Sequence, residues 1–198
     1  MITNRQVSPD LTPAALQAWL ETQGVDTTHW GQADAKTIAD LWSELQHGES
    51  TLYADPPLRR VNVVEVTVRQ GTQLLVERAQ HLADGRVRIR NRPPSEKMHP
   101  GEEPMDAARR CLIEELALSG AAITFPPQEI TARTVRDESG SYPNLVSEYL
   151  FYSIAACVEG LPTSTFTIPN AAHVDGDPVV AHLWAWVQAR SNDSDGGT

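Results

Sequence analysis

The residues best suited to chemistry lie in one stretch, positions 95–118, where a turn leads into a helix. A Pro-Gly pair predicts the turn, and Pro104 fits the first position of the helix. Glu114 and Glu115 are adjacent on this helix, and Arg110 precedes Glu114 by one turn, so the two can pair. Adjacent carboxylates beside a turn offer the hard oxygen ligands that Mg²⁺ prefers, so the stretch predicts a divalent-metal site.

The same stretch resembles the Nudix box, the loop-and-helix signature of the Nudix hydrolases. Six residues fall in register with that signature: Glu102, Arg110, Leu112, Glu114, Glu115 and Leu118. Three positions depart from it. Glu96 stands at the first Gly, Cys111 at the Glu that follows the Arg, and Ala117 at the last Gly.

The resemblance implies a metal-assisted reaction in which water attacks a phosphorus atom of a diphosphate. It implies Mg²⁺ or Mn²⁺ as the cofactor, with Glu114 and Glu115 as metal ligands. It also implies that Glu102 stabilises the site and that Arg110 orients the carboxylates. These four residues are therefore the candidate catalytic residues.

Cys111 is the departure that bears most on the chemistry. A thiol cannot offer two hard oxygens, and neighbouring carboxylates disfavour its thiolate form. We therefore expect a buried neutral thiol at Cys111 and a metal site weaker than that of a complete box. Glu96 could return a carboxylate to the site as a further metal ligand.

Three functions remain open at this point. The first is an atypical Nudix-type hydrolase of a nucleoside-diphosphate-linked or other diphosphate compound. The second is a catalytically inactive Nudix-like module that binds a nucleotide or a protein partner. The third is the same fold with different chemistry on a small metabolite. We expect the partner to be a small phosphorylated ligand.

Four arginines alternate with other residues just before the box: Arg86, Arg88, Arg90 and Arg92. In a strand, this period of two places all four on one face. The face is either a solvated edge, where charges oppose aggregation, or a column of guanidinium groups that binds a phosphate-bearing ligand.

The order of the predicted elements indicates an α+β domain. Strands rich in β-branched residues come first, one helix follows, and further strands complete the chain. The resemblance implies a Nudix-like mixed sheet between helices. We assign residues 59–190 to this domain and 191–198, which are polar and Gly-rich, to a disordered tail.

Residues 1–55 are predicted to form an N-terminal helical extension. One helix begins after Thr12 and ends at Gly24, and a second covers about Asp34 to His47. Two short amphipathic helices bury little surface alone, so we expect them to pack on the main domain or on a partner. That partner would be a second copy of the chain or another protein.

The composition limits the remaining function classes. The net charge is −10, which argues against a nucleic-acid surface. The two cysteines give no disulfide framework, and no apolar run approaches the ~20 residues of a membrane span. We therefore expect a cytoplasmic location and no membrane or nucleic-acid partner.

Overall fold

The structure is a computed structural model, and it describes residues 5–8, 10–170 and 178–189. Three α-helices lie in this part of the chain: α1 (Pro13–Thr22), α2 (Ile38–Gln46) and α3 (Pro104–Leu116). The strands described there are β1 (Arg5–Gln6), β2 (Thr51–Ala54), β3 (Leu58–Gln70), β4 (Gln73–Leu82), β5 (Val87–Arg92), β6 (Ser95–Lys97), β7 (Ile123–Thr124), β8 (Thr131–Glu138), β9 (Val146–Val158), β10 (Phe166–Pro169) and β11 (Val179–Gln188). The predicted α+β class is confirmed. The predicted tail at 191–198 lies outside the described residues.

The chain divides into two compact units. Unit 1 comprises the described residues of Met1–Val64, Glu96–Ala107 and Ile130–Tyr152. Unit 2 comprises those of Glu65–Ser95, Ala108–Glu129 and Ser153–Thr198.

The N-terminal helices belong to the core of unit 1. Thr12 caps α1, because its Oγ1 accepts the N–H of Ala15 at 3.2 Å. The core that α1 and α2 share with later segments consists of Leu16, Leu20, Val25, Leu41, Leu52, Tyr142 and Leu145. The apolar faces of both helices are thus covered within this unit. A homodimer or protein partner on the N-terminal helices stays a prediction.

The start of α2 differs from the sequence-based expectation. The helix begins at Ile38, so the predicted start at Asp34 is wrong. Thr37 and Asp40 form a capping box, in which the Thr37 hydroxyl accepts the N–H of Asp40 and the Asp40 carboxylate accepts the N–H of Thr37. The cap therefore sets the start.

The first 55 residues also contain strands, which the sequence analysis missed. β1 pairs with β2, and β2 pairs antiparallel with β3, with Thr51 opposite Arg60. Residues 55–57 form the turn between β2 and β3. The proposed domain boundary near residue 55 stays a prediction.

A buried carboxylate bound to three cations joins several elements of unit 1. Glu44 of α2 accepts hydrogen bonds from Arg59 Nε at 3.2 Å, Lys36 Nζ at 2.9 Å and Lys97 Nζ at 2.7 Å. Burial alone would raise the pKa of Glu44, but the charges of Arg59, Lys97 and Lys36 hold it far below its usual range. Glu44 is therefore ionised. We call these four residues the Glu44 cluster.

In unit 2, β4 pairs with strands on both of its edges. It pairs antiparallel with β5 on one side and with β11 on the other, and β11 also pairs with β10. Leu75 and Ala79 of β4 and Trp184 of β11 are each about 1% exposed. Alternate β4 side chains therefore point into a core. None of the helices in the described part of the chain could cross a lipid bilayer.

Candidate functional site

Helix α3 carries the second half of the box and buries one of its faces. The backbone carbonyl of Glu103 accepts the N–H groups of Asp106 and Ala107, and Pro104 occupies the first helical position. Within unit 2, Cys111 and Leu112 are fully buried on this helix. The prediction of a buried thiol at Cys111 is confirmed. A thiol supplies none of the hard oxygen ligands that the box glutamate at this position would offer.

The two adjacent box glutamates of α3 have different surroundings. Oε2 of Glu114 accepts a hydrogen bond from Nη1 of Arg110 at 3.2 Å, the pairing expected one turn apart. The Glu114 side chain is 42% exposed. The side chain of Glu115 is only 19% exposed, and its Oε2 lies 3.4 Å from Nδ1 of His182.

Glu115 belongs to a cluster with two residues from neighbouring strands. Nδ1 of His182, on β11, lies 2.7 Å from Oε1 of Glu77, on β4. In the register of the two strands, Trp184 stands opposite Glu77. His182 lies two residues before Trp184, on the same face of β11. Glu77 and His182 are each 6% exposed. We call Glu77, Glu115 and His182 the Glu77 cluster.

Electrostatics keep Glu77 ionised despite its burial. Burial alone would raise the pKa of Glu77, but hydrogen bonds from His182 and Gln80 and the charge of Arg90 outweigh it. The net pKa of Glu77 therefore lies below its ordinary value. Nε of Arg90 lies 3.3 Å from Oε2 of Glu77. The cluster thus holds a buried carboxylate in its charged form.

The Glu77 cluster fits a divalent metal ion. One ligand atom from each of the three residues lies within 4.8 Å of the other two. Ligands bonded to one ion at about 2.1 Å are roughly 3–4 Å apart, so a small widening of the 2.7 Å His182–Glu77 contact would admit an ion. Two carboxylates and one imidazole suit Mn²⁺ or Zn²⁺ better than Mg²⁺, which prefers oxygen ligands alone.

The first half of the box lies in unit 1. Oε2 of Glu102 accepts the backbone N–H of His99 at 2.8 Å, and the N–H of Glu102 is donated to the carbonyl of His99. These two bonds close the turn around Gly101, whose φ is 72°. Glu102 therefore stabilises the loop. Glu96 accepts the N–H of Lys97 at 2.8 Å, and its role as a metal ligand stays a prediction.

The expected column of four arginines on one strand face is wrong. Arg86 precedes β5 and binds Asp84 in the turn, with its Nε 2.7 Å from Oδ2. Asn91 has a φ of 53°, and the β4–β5 register shifts so that Glu77 stands opposite Arg92. Such a bulge re-aims the side chains that follow it. Phosphate binding by Arg86, Arg88, Arg90 and Arg92 stays a prediction.

Glu77 and His182 were not among the site residues predicted from the sequence. Both stand at positions that the period of a strand places in a core: Glu77 between Leu75 and Ala79, and His182 two residues before Trp184. A charged or titratable residue on an otherwise apolar strand face was the signal in the sequence that could have identified these two site residues. Their proximity to each other could not be predicted, because Glu77 and His182 are 105 positions apart.

Comparisons with known proteins identify the family. The family model described as NUDIX domain matches residues 56–187. No curated protein sequence matches the chain.

Similar solved structures include a NUDIX hydrolase from Nitrosomonas europaea, at 18% identity over 64% of this chain and 72% of that chain, with a TM-score of 0.39. An Ap4A hydrolase from C. elegans is 18% identical over 65% of this chain and 79% of that chain, with a TM-score of 0.32. A structure described as an ADP compounds hydrolase is 15% identical over 69% of this chain and 67% of that chain, with a TM-score of 0.35. The family assignment rests on the family model, whose match spans most of the chain and includes the whole box. The chain therefore belongs to the NUDIX domain family.

Proposed function

We propose that this chain is a divalent-metal-dependent hydrolase of a diphosphate compound. One observation carries the proposal: Glu115, a box residue, lies beside Glu77 and His182 in a three-ligand cluster. The box lacks a glutamate at Cys111, and Glu77 offers a carboxylate from β4 in its place. The cytoplasmic location and the small phosphorylated ligand expected from the sequence belong to this proposal.

The residues of unit 2 divide the work of such a reaction. A bound divalent ion would neutralise diphosphate charge and lower the pKa of the attacking water. Glu77, Glu115 and His182 would hold the ion. Glu114 is exposed and is held by Arg110, so we assign it the role of accepting a proton from the attacking water. In unit 1, Glu102 would stabilise the box loop.

Turnover by matched variants tests the proposal. Purified protein is assayed with Mn²⁺ or Mg²⁺ against nucleoside diphosphates linked to a second group, dinucleoside polyphosphates and inorganic pyrophosphate. We expect faster turnover with Mn²⁺ because the cluster contains an imidazole. Glu115→Gln and Glu77→Gln should each lower kcat by about 100-fold or more, the typical effect of losing electrostatic support for the transition state.

Glu159→Gln is the control, since Glu159 is an exposed carboxylate of the same unit outside the cluster. It should retain wild-type activity. Full activity in Glu77→Gln would contradict the assignment of Glu77, and full activity in both cluster variants would contradict the metal site. Glu114→Gln separates proton acceptance from metal binding. It should lower kcat but retain the Mn²⁺ affinity measured by calorimetry.

A catalytically inactive nucleotide-binding module is the second candidate. Cys111 favours this candidate. It stands where the box has a glutamate, and its thiol is fully buried in the core. Nucleotide binding without turnover of any compound, with either metal, would favour this candidate over the hydrolase.

A further inference from the structure

Unit 1 contains a cavity of about 420 Å³ where the chain leaves α1, turns from β2 into β3 and passes from β8 into β9. This volume lies within the roughly 300–1,000 Å³ of small-molecule sites. The described residues that line the cavity include no member of the box and none of the Glu77 cluster. Its wall thus shares no residue with the proposed metal site.

Most of the cavity wall is apolar. Val25 and Leu58 line it and are each 4% exposed, so they form a packed part of the wall. Val146 and the consecutive prolines Pro56 and Pro57 line it as well. Val146 is 45% exposed, so a ligand that covers its side chain would remove apolar surface from water. The wall therefore favours a ligand with an apolar body.

An arginine supplies the charge of the wall. Arg136 is the charged side chain among the described residues that line the cavity. Its Nε lies 2.5 Å from Oε2 of Glu148, and Oε1 of the same carboxylate accepts Nε of Arg60 at 2.6 Å. Two guanidinium groups thus share one carboxylate, which leaves a positive charge in this group uncompensated. The Arg136 side chain is 59% exposed, so a ligand can reach its terminal amino groups.

The loop between β8 and β9 engages the neighbouring carboxylate. Glu138 follows Arg136 by two residues on β8, but its Oε1 accepts the backbone N–H of Asn144 at 2.8 Å. Nδ2 of Asn144 donates to the carbonyl of Asp26 at 3.1 Å, which ties this loop to the segment after α1. Asn144 lines the cavity, whereas Glu138 does not. The charge of Arg136 therefore determines which ions the wall attracts.

We infer that this cavity binds a small arylcarboxylate, a planar apolar molecule with one carboxylate group. The carboxylate accepts N–H groups from Arg136, in the paired geometry that guanidinium and carboxylate groups favour. The apolar body covers Val146 and the two prolines. A monocarboxylate matches a single uncompensated positive charge better than a phosphate monoester, which carries roughly −1.5 to −2 charges at neutral pH. Binding needs neither a metal ion nor hydrolysis, so the inference goes beyond the proposed function and does not depend on it.

Four probe compounds test the two parts of the ligand separately. Metal-free wild-type protein is titrated by calorimetry with 2-naphthoate, its neutral amide 2-naphthamide, 2-naphthyl phosphate and acetate. We expect 2-naphthoate to bind about tenfold more tightly than the amide, because a hydrogen bond between charged groups is stronger. Acetate should bind too weakly to measure, since it lacks the apolar body. The phosphate should bind no more tightly than 2-naphthoate.

Two pairs of variants locate the site. Arg136→Gln should lower 2-naphthoate affinity about tenfold and leave 2-naphthamide affinity unchanged. Arg133→Gln is its control, because it removes the same charge three residues earlier on β8, where the guanidinium stacks on Phe151. Val146→Phe should fill the cavity and weaken both naphthyl compounds by about fivefold. Val135→Phe is its control, since Val135 is 37% exposed and does not line the cavity.

The results decide the inference as follows. A preference for 2-naphthoate over its amide, lost in Arg136→Gln and kept in Arg133→Gln, supports it. Equal affinity for the acid and the amide overturns it, as does the absence of 2-naphthoate binding at millimolar concentration. Tighter binding of the phosphate overturns the choice of a carboxylate, and an equal effect of the two variants in either pair overturns the location of the site. Thermal unfolding of the four variants checks the fold, and the comparison of probes in the wild type requires no variant.

Discussion

The Glu44 cluster of unit 1 and the Glu77 cluster of unit 2 both contain buried carboxylates, but their charge balance differs. Glu44 is one carboxylate with three permanent cations, Arg59, Lys36 and Lys97, around it. The Glu77 cluster has two carboxylates, and Arg90 is the permanent cation paired with Glu77. Glu77 also contacts the titratable His182.

This difference separates a structural ion network from a site that can accept a cation. A carboxylate saturated by cations gains nothing from another positive ion, and its loss leaves buried charges without partners. Two carboxylates that share an imidazole retain negative charge and ligand atoms for an incoming ion. Burial alone does not distinguish the clusters, since Glu44 and Glu77 are 4% and 6% exposed.

The largest effect on stability is expected from Glu44→Gln. Arg59 is 3% exposed and would remain buried without its carboxylate, so we expect a loss of about 3–5 kcal/mol in the free energy of unfolding. Urea unfolding at neutral pH measures this loss. Glu49→Gln is the control and should cost less than about 1 kcal/mol, because the Glu49 side chain is 36% exposed.

The pH dependence of stability in the wild type and in Glu44→Gln tests whether the Glu44 charge causes this loss. The pKa of Glu44 is lower in the folded chain than its ordinary value of 4.5, so its stabilisation is fully present above that pH. The stabilisation is lost as the pH falls from about 4.5 towards the folded pKa. Wild type should therefore lose more stability than Glu44→Gln on acidification below pH 4.5. Parallel curves for the two proteins would show that the Glu44 charge is not responsible.

A metal-dependent shift of the melting temperature tests whether the Glu77 cluster binds a cation. Saturating Mn²⁺ should stabilise the wild type by about 2.7 kcal/mol at 100 times its Kd, because only the folded chain assembles the cluster. Glu77→Gln should lose most of this shift, while Glu49→Gln should keep it. An equal shift in all three proteins would mean that Mn²⁺ binds elsewhere.

The smallest expected effect concerns Arg90. Its guanidinium competes with an ion for the Glu77 carboxylate, so Arg90→Gln should increase Mn²⁺ affinity by about fivefold, as expected for one partly exposed charge pair. Arg88→Gln removes the same charge two residues away on β5 and should change the affinity less. Calorimetric titration measures both. Equal gains from the two variants would indicate a general effect of net charge.

The sequence predicted those features that depend on neighbours in the chain. The cap at Thr12 and the Arg110–Glu114 pair follow from local spacing, and the structure contains both. The register match to the box likewise indicated the family.

Features that depend on strand pairing were not predictable in this way. The Glu77–His182 contact requires β4 and β11 to lie side by side in a particular register. The shift at Asn91 changes which face the later side chains of β5 occupy. The two-residue strand β1 is stabilised by pairing with β2, which is distant in sequence.

The two cysteines give the chain an intrinsic reporter of motion in the box helix. Cys157 is exposed, whereas Cys111 is fully buried on α3. In the native protein a maleimide or iodoacetamide reagent should modify Cys157 at once. Cys111 should react only when α3 opens, because alkylation requires an accessible thiolate. With Cys157 replaced by Ser, the rate of alkylation at Cys111 would measure how often the helix that carries Glu114 and Glu115 leaves its core.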